Sequence, residues 1–378
     1  MPSSSPSVAL PRGVAPSGAP GTAAVPSPRR RALAAWLFTL SGMVVFMACL
    51  GAATRLTDSG LSMVEWQLFT ILPPLSQTEW QATFDAYRQS PQYLLQNAGM
   101  SLEAFKGIFW LEYLHRLWGR IIGIAFAVPF LVFLVKGAID ARLGLKLGAL
   151  FVLGGMQGLV GWIMVQSGLV EQPMVSPVKL AAHLGLAVLI LGLLWRLALD
   201  LWLEEPGHAV PPPARRLAAG ARAFLGYVFL VILSGALVAG LDAGLTYNTF
   251  PLMDGDLVPE GLHLHAPWWV NHLDNITTVQ FQHRVLATAL VAFALGLAAW
   301  AWRTGAPLPR RARATAAALG ALAVGQMALG IATLLAVVPV SLGVLHQLGA
   351  LIVFLAAVTL VRLLRCSSAP APQPSEQR

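Results

Sequence analysis

The chain has 378 residues, of which 56% are hydrophobic and 11% charged, with two cysteines and a formal net charge of +8. So little charge excludes an ordinary soluble domain, where charged residues make up about a quarter. The positive balance does not indicate a nucleic-acid partner, because the basic residues cluster in short stretches between apolar blocks, which is a topology signal.

Residues 1–28 are rich in Pro, Ser, Ala and Gly and carry almost no large apolar groups. Such a segment cannot offset its own ordering entropy and is expected to be disordered, a cytoplasmic tail that runs through the arginine cluster to residue 31. "RRRALAAWLFTLSGMVVFMACLGAA" then looks like a signal sequence with a basic n-region, but its apolar run is too long for an h-region and reads as an uncleaved first helix. Further apolar blocks follow the first, at 33–53, over 112–135, 143–166, 178–202, 220–241, 280–302, 313–337 and 341–363. Each is about the length that crosses a hydrocarbon core of ~30 Å.

The expected fold is an all-α integral membrane protein with eight transmembrane helices. Both termini then lie on one side. Lys136, Arg142, Lys146, Arg215, Arg216, Arg222, Arg303, Arg310, Arg311, Arg313, Arg362 and Arg365 fall on that same side. The loop 242–279 carries Asp242, Asp254, Asp256, Glu260 and Asp274 and no Lys or Arg. The positive-inside rule therefore places the termini in the cytoplasm and the long loops 54–110 and 242–279 outside.

The two halves echo each other. "GAATRLTDSGLSM" closes the first block and "GALVAGLDAGLTYN" the fifth; "EYLHRLWG" opens the second and "QFQHRVLA" the sixth. Gln157 stands four before Gly161 in the third block, and Gln326 four before Gly330 in the seventh. "KLAAHLGLAV" starts the fourth and "GVLHQLGALI" the eighth. The expected organisation is a tail (1–31), an N-terminal four-helix half (32–203), a linker (204–219), a C-terminal four-helix half (220–364) and a tail (365–378). Four helices per half make this a parallel repeat about a pseudo-two-fold axis along the membrane normal.

Of the eight histidines, His208, His263, His265 and His272 lie in loops and read as solvated. His115, His183, His283 and His346 each sit near the outer end of an even-numbered helix, at matched positions of the repeat. A histidine at membrane depth is costly without a partner and marks a functional site. Two facing imidazoles on two helices suit a haem iron. Zinc would need three or four ligands, and neither cysteine, Cys49 or Cys366, lies with the histidines. The residue four after each histidine is small (Gly119, Ala187, Ala287, Ala350), which leaves space on the same helix face for a flat macrocycle. Arg116, Arg120 and Arg284, with Arg55 at the end of the first helix, fit two roles: bidentate anchors for haem propionates, or interfacial snorkelling.

Glu112 lies three before His115, whereas the corresponding residue before His283 is Gln280. A carboxylate can relay a proton or stabilise developing positive charge and an amide cannot titrate, so the N-terminal half is expected to do the chemistry and the C-terminal half to hold a cofactor. Pairing of Glu112 with Arg116 one turn on is compatible with that role.

Over residues 33–363 the chain resembles the haem A synthase family, of the alphaproteobacterial and mitochondrial type. The likeness rests on "TRLTDSGLSMVEW", "LPPLSQTEWQATFDAYRQSPQY", "FWLEYLHRLWGRIIG", "NTFPLMDGDLVPEGL", "TTVQFQHRVLA" and "LHQLGALIVF". The resemblance implies oxidation of a pyrrole-ring methyl of haem O to a formyl group, by successive hydroxylations, giving haem A for terminal oxidases. It further implies haem b on His283 and His346, substrate haem flanked by His115 and His183, and Glu112 as the catalytic acidic residue. The family's other branch carries a cysteine pair in its outer loops; this sequence has none there. An inner-membrane location is implied, with sites near the periplasmic side.

The resemblance makes the farnesyltransferase that forms haem O and oxidase assembly factors candidate partners, alongside membrane lipid, and exposed apolar helices are compatible with a homo-oligomer. A di-haem electron-transfer cytochrome explains the histidines and the repeat but not Glu112 against Gln280. A haem or quinol transporter built on a parallel repeat is disfavoured by tight axial ligation. A farnesyltransferase would need Asp-rich diphosphate-binding motifs, which are absent.

Overall fold

The computed structural model describes residues 27–65, 72–170, 173–203, 212–304 and 308–365. The expected tail at 1–26, His208, Cys366 and the C-terminal tail beyond residue 365 lie outside the described residues. In chain order the helices are α1 (Pro28–Leu56), α2 (Gln77–Tyr87), α3 (Pro91–Leu95), α4 (Leu102–Val135), α5 (Ala141–Gln166), α6 (Pro177–Trp202), α7 (Pro212–Gly240), α8 (Asn271–Asp274), α9 (Ile276–Arg303), α10 (Arg310–Leu335) and α11 (Val340–Leu363). Eight of them, all but α2, α3 and α8, are long and apolar enough to cross a membrane. The described residues contain no β-strand beyond a single bridge between Met253 and Asp256. The protein is an all-α, multi-pass membrane protein.

Local chemistry sets the helix ends. Ser27, Ser90, Ser101, Asp140 and Asn275 cap α1, α3, α4, α5 and α9 with side-chain oxygens that accept first-turn N–H groups. Proline opens α1, α3 and α6, where its missing N–H costs nothing. Two starts differ most from the apolar blocks. α4 begins at Leu102 rather than 112, because Ser101 caps it there and its first turns bury Phe105 and Phe109. α7 begins at Pro212 rather than 220, since its basic first turns extend the helix without adding apolar length.

α1, α6, α7 and α11 form the centre: α1 packs on α6 and α11, and α6 on α7 and α11. Gly192 of α6 admits the Phe354 ring at one crossing, where a Cβ would lie 2.9 Å from that ring. One core joins Leu33, Leu37, Leu40, Phe126, Leu147 and Leu194 of α1, α4, α5 and α6. A larger one joins α6, α7, α9, α10 and α11 around Phe224, Leu297, Leu319, Leu351 and Phe354. A third, aromatic core (Trp80, Phe84, Tyr87, Phe105, Phe109, Tyr113) fixes α2 and α3 against the first turns of α4. The flanks differ. α9 and α10 lie against each other along much of their length, whereas α4 and α5 approach at few points.

Candidate functional site

Each of the four helix histidines rests its ring edge on a glycine of the preceding long helix. A Cβ built on Gly51 of α1 would lie 2.9 Å from Cε1 of His115, and one on Gly161 of α5 would lie 2.8 Å from that of His183. In the C-terminal half, the distances are 3.1 Å from Gly235 of α7 to His283 and 2.6 Å from Gly330 of α10 to His346. Real side chains essentially never come as close as the values at Gly51, Gly161 and Gly330, so there a Cβ would force the imidazole to shift, and at Gly235 the fit would be tight. His115 and His183 are neighbours across α4 and α6, as His283 and His346 are across α9 and α11.

Glutamines complete the hold on α6 and α11. Gln157 Nε2 donates to the His183 carbonyl at 3.0 Å and lies 3.2 Å from its Nδ1. Gln326 Nε2 donates to the His346 carbonyl at 2.7 Å and lies 3.0 Å from its Nδ1. The Oε1 atoms of both glutamines are buried without a partner.

The N-terminal parts of α4 and α9 repeat one arrangement with one exchange. Arg116 donates to the carbonyls of Met63 at 2.9 Å and Glu65 at 3.1 Å. Arg284 donates to those of Tyr247 at 2.5 Å and Thr249 at 2.8 Å. These loop positions correspond in the two halves, as do Asp58 and Asp242, both left-handed with φ 51°. Between them sits Glu112 in one half and Gln280 in the other. Glu112 is 2% exposed and accepts from Ser62 Oγ at 2.7 Å, Met63 N–H at 2.8 Å and Arg116 at 2.5 Å. Gln280 does the reverse: its Nε2 donates to the carbonyls of Ala243 and Thr246, each at 2.7 Å. The first loop turns donors inward and the second turns carbonyls inward, so neither side chain would satisfy the other's neighbours.

The arginines are spent mainly on protein. Arg116 and Arg284 tie down the loops that follow α1 and α7, and Arg55 bonds the Ala239 carbonyl at 2.8 Å and Asp242 at 2.7 Å, bridging the halves. Arg284 Nε is buried and without a partner, a donor left for an anion. Of the small residues one turn past the histidines, Ala287 and Ala350 are partly buried against the large core. A Cβ on Gly119 would lie 3.4 Å from the Met47 methyl, so that face packs on α1. His263 and His265 are exposed, and His272 meets Gln282 at 3.1 Å and the edge of Trp268. Among the described residues no three His, Cys, Asp or Glu side chains converge as a metal cluster. What the helices offer is pairs of imidazoles, each in a cradle that a Cβ would fill. That donor set fits the two axial positions of a haem better than a bare ion. Sequence reasoning named the histidines and Glu112 but missed Ser62, Gly51, Gly235 and Ser234; only Gln157 with Gly161 and Gln326 with Gly330 carried a visible signal, their shared spacing.

Residues 34–358 match the COX15-CtaA family model, described as cytochrome oxidase assembly protein. The chain belongs to this family. It is 49% identical over 330 residues to a heme A synthase of Nitrosospira multiformis, covering 87% of this chain and 92% of that protein. It is likewise 49% identical over 341 residues to a heme A synthase of Rhodospirillum centenum, covering 90% of each. A Bradyrhizobium heme A synthase is 48% identical over 341 residues, covering 89% and 92%. Alignment over nearly whole chains carries the COX15-CtaA assignment across both four-helix halves.

Proposed function

We propose that the chain is a haem A synthase that binds substrate haem O between His115 and His183 in the N-terminal half and haem b between His283 and His346 in the C-terminal half. The observation that carries the division of labour is Glu112 against Gln280: matched frames, with a buried carboxylate in one and an amide in the other. The packing supports it. α4 and α5 approach each other at few points, which on this reading gives a farnesyl-tailed substrate a sideways route into the N-terminal half, while α9 and α10 pack along much of their length. The two halves are read as related by a pseudo-two-fold axis along the membrane normal, with the termini cytoplasmic and both sites toward the periplasmic side.

Bound haem b would supply one-electron redox chemistry at the C-terminal half. The residues around the N-terminal pair do the rest. His115 and His183, wedged against Gly51 and Gly161, fix the macrocycle from two sides and so fix the ring methyl. Oxidising a methyl to a formyl removes C–H protons and draws electron density from that carbon. Glu112, held by Ser62, Met63 N–H and Arg116, presents a fixed carboxylate one turn from His115. Such a group stabilises positive charge developing on the carbon or takes the released proton at a carboxylate oxygen. Arg116 holds it in place.

The test is to purify the whole chain from membranes of cells that make haem O and identify its haems by pyridine haemochrome spectra and chromatography. The wild type is expected to hold haem b with haem A, and Glu112→Gln to keep haem b while accumulating haem O or a partly oxidised haem. Two haem b per chain in both proteins, with neither haem O nor haem A, would establish an electron-transfer cytochrome instead.

A further inference from the structure

The two histidine pairs differ in one contact behind the ring. Ser234 stands one residue before Gly235 on α7, and its hydroxyl donates to the Val231 carbonyl at 2.9 Å while lying 2.7 Å from Nδ1 of His283. A serine has one proton. With that proton on Val231, Oγ accepts Nδ1–H from the ring, and Nε2 keeps its lone pair. The corresponding position on α1, one residue before Gly51, is Leu50. There Nδ1 of His115 is buried without a hydrogen-bond partner. The other two histidines do not differ in this way, since Gln157 and Gln326 make matched contacts to His183 and His346.

A ligating histidine ordinarily donates its second ring nitrogen to an oxygen, which fixes the tautomer and raises ligand basicity. One half of this protein supplies that oxygen and the other lacks it. A haem A synthase needs such a difference, because one haem must stay and the other must leave as product although both meet histidines at the same depth. We infer that the exchange of Ser234 for Leu50 sets the two residence times. Ser234 is a positioning residue that makes His283 the ligand of a retained haem, and Leu50 leaves His115 a weaker ligand that lets the product go. The inference rests on the assignment of haem b to the C-terminal half.

The experiment follows transfer of each haem from the purified full chain to excess apomyoglobin, resolving haem b and haem A by their spectra. The low-spin electron paramagnetic resonance signal of the bound haem is recorded alongside. Ser234→Ala is expected to lose haem b at least about tenfold faster than wild type and to shift its low-spin signal, within the range usual for a lost outer-shell partner. Ser234→Thr, which keeps the oxygen, is expected to restore both. Leu50→Ser is expected to slow transfer of haem A by a similar factor with the haem b rate unchanged, so that product accumulates on the protein. Loss of haem b from Ser234→Ala at the wild-type rate, with an unaltered signal, would overturn the inference. So would release of haem A from Leu50→Ser at the wild-type rate. His283→Ala keeps the two failures apart: if it retains haem b, the site assignment is wrong rather than the tuning. Alanine removes only a hydroxyl from α7 and suits a helix, so the Ser234 comparison is decided on folded protein.

Discussion

Gly330 leaves so little room beside His346 that even a methyl group forces a rearrangement: its Cβ would lie 2.6 Å from Cε1 and 3.3 Å from Nδ1. The ring belongs to an axial-ligand candidate, so the displacement is felt at the metal, not only in packing. Gly330→Ala is expected to lower the haem b content of purified protein and weaken its low-spin signal. Gly325→Ala, one turn away with nothing within 4 Å of its Cβ, is expected to change neither. Equal effects from the two would show that helix propensity rather than the cradle is being measured. The Ser62 hydroxyl, 2.7 Å from Glu112, makes a second residue-scale case. Ser62→Ala removes one of the donors to a buried carboxylate, at a cost of about 1.5–3 kcal/mol for a bond to a charged group. It is expected to slow haem O oxidation without changing the haem b spectrum. The histidines and Glu112 were legible in the sequence because an ionisable group inside an apolar block is conspicuous and the repeat supplies its control. Ser62, Ser234, Gly51 and Gly235 were not, because serine and glycine are ordinary in membrane helices and loops, and their importance lies in what they touch across the bundle.

Among the elements, α4 carries most of what the apolar pattern failed to announce. Its first turns are amphipathic rather than apolar, and they meet α2 through rings: Phe105 stacks on Tyr87 at 5.0 Å, and Trp80 meets Phe109 edge-on at 4.9 Å. Tyr87 donates to Gln92 at 3.0 Å, and Gln92 donates to the Asp58 carbonyl at 2.7 Å, which carries the order of α2 and α3 back to the end of α1. Phe105→Ala removes a fully buried ring and is expected to cost about 3–5 kcal/mol of local packing. Faster limited proteolysis within 72–101, with the haem spectrum intact, is the expected result. The start of α2 is pH-sensitive in a stated direction. Glu79 accepts the N–H groups of Leu75 and Ser76 in a capping box, and these bonds hold its carboxyl below the usual glutamate range. A lowered folded value means that the cap contributes at neutral pH and is lost as pH falls through that value. The first amides of α2 are therefore expected to lose hydrogen-exchange protection as pH falls into the acid range while those of α4 keep theirs, and Glu79→Gln to remove that pH dependence.

At the scale of the whole molecule, the halves are pinned at both ends of the bundle, and unequally. Arg55, with its side chain 22% exposed, reaches Asp242 near the long loops, while Arg362, 3% exposed, pairs with Asp200 between α11 and α6 at the other end. Removing one partner of a buried pair strands a charge and costs about 3–5 kcal/mol, whereas an exposed pair contributes about 0–1 kcal/mol. Asp200→Ala is therefore expected to lower thermal stability in detergent far more than Asp242→Ala, and equal shifts would show that Arg362 finds another partner. The number of spans and the repeated motifs were readable from hydropathy and spacing. The open flank was not, because the distance between α4 and α5 depends on how each leans on α1 and α6, and no local pattern encodes that.

That flank has a consequence for how the reaction is measured. A gap between membrane helices does not stay vacant; acyl chains occupy it until something displaces them. On the proposed placement of haem O beside His115, its arrival is then an exchange with neighbouring lipid, so the quantity that governs saturation is the mole fraction of substrate in the bilayer rather than its amount per volume of water. Diluting the same protein and the same haem into more lipid should slow the enzyme as effectively as withholding substrate.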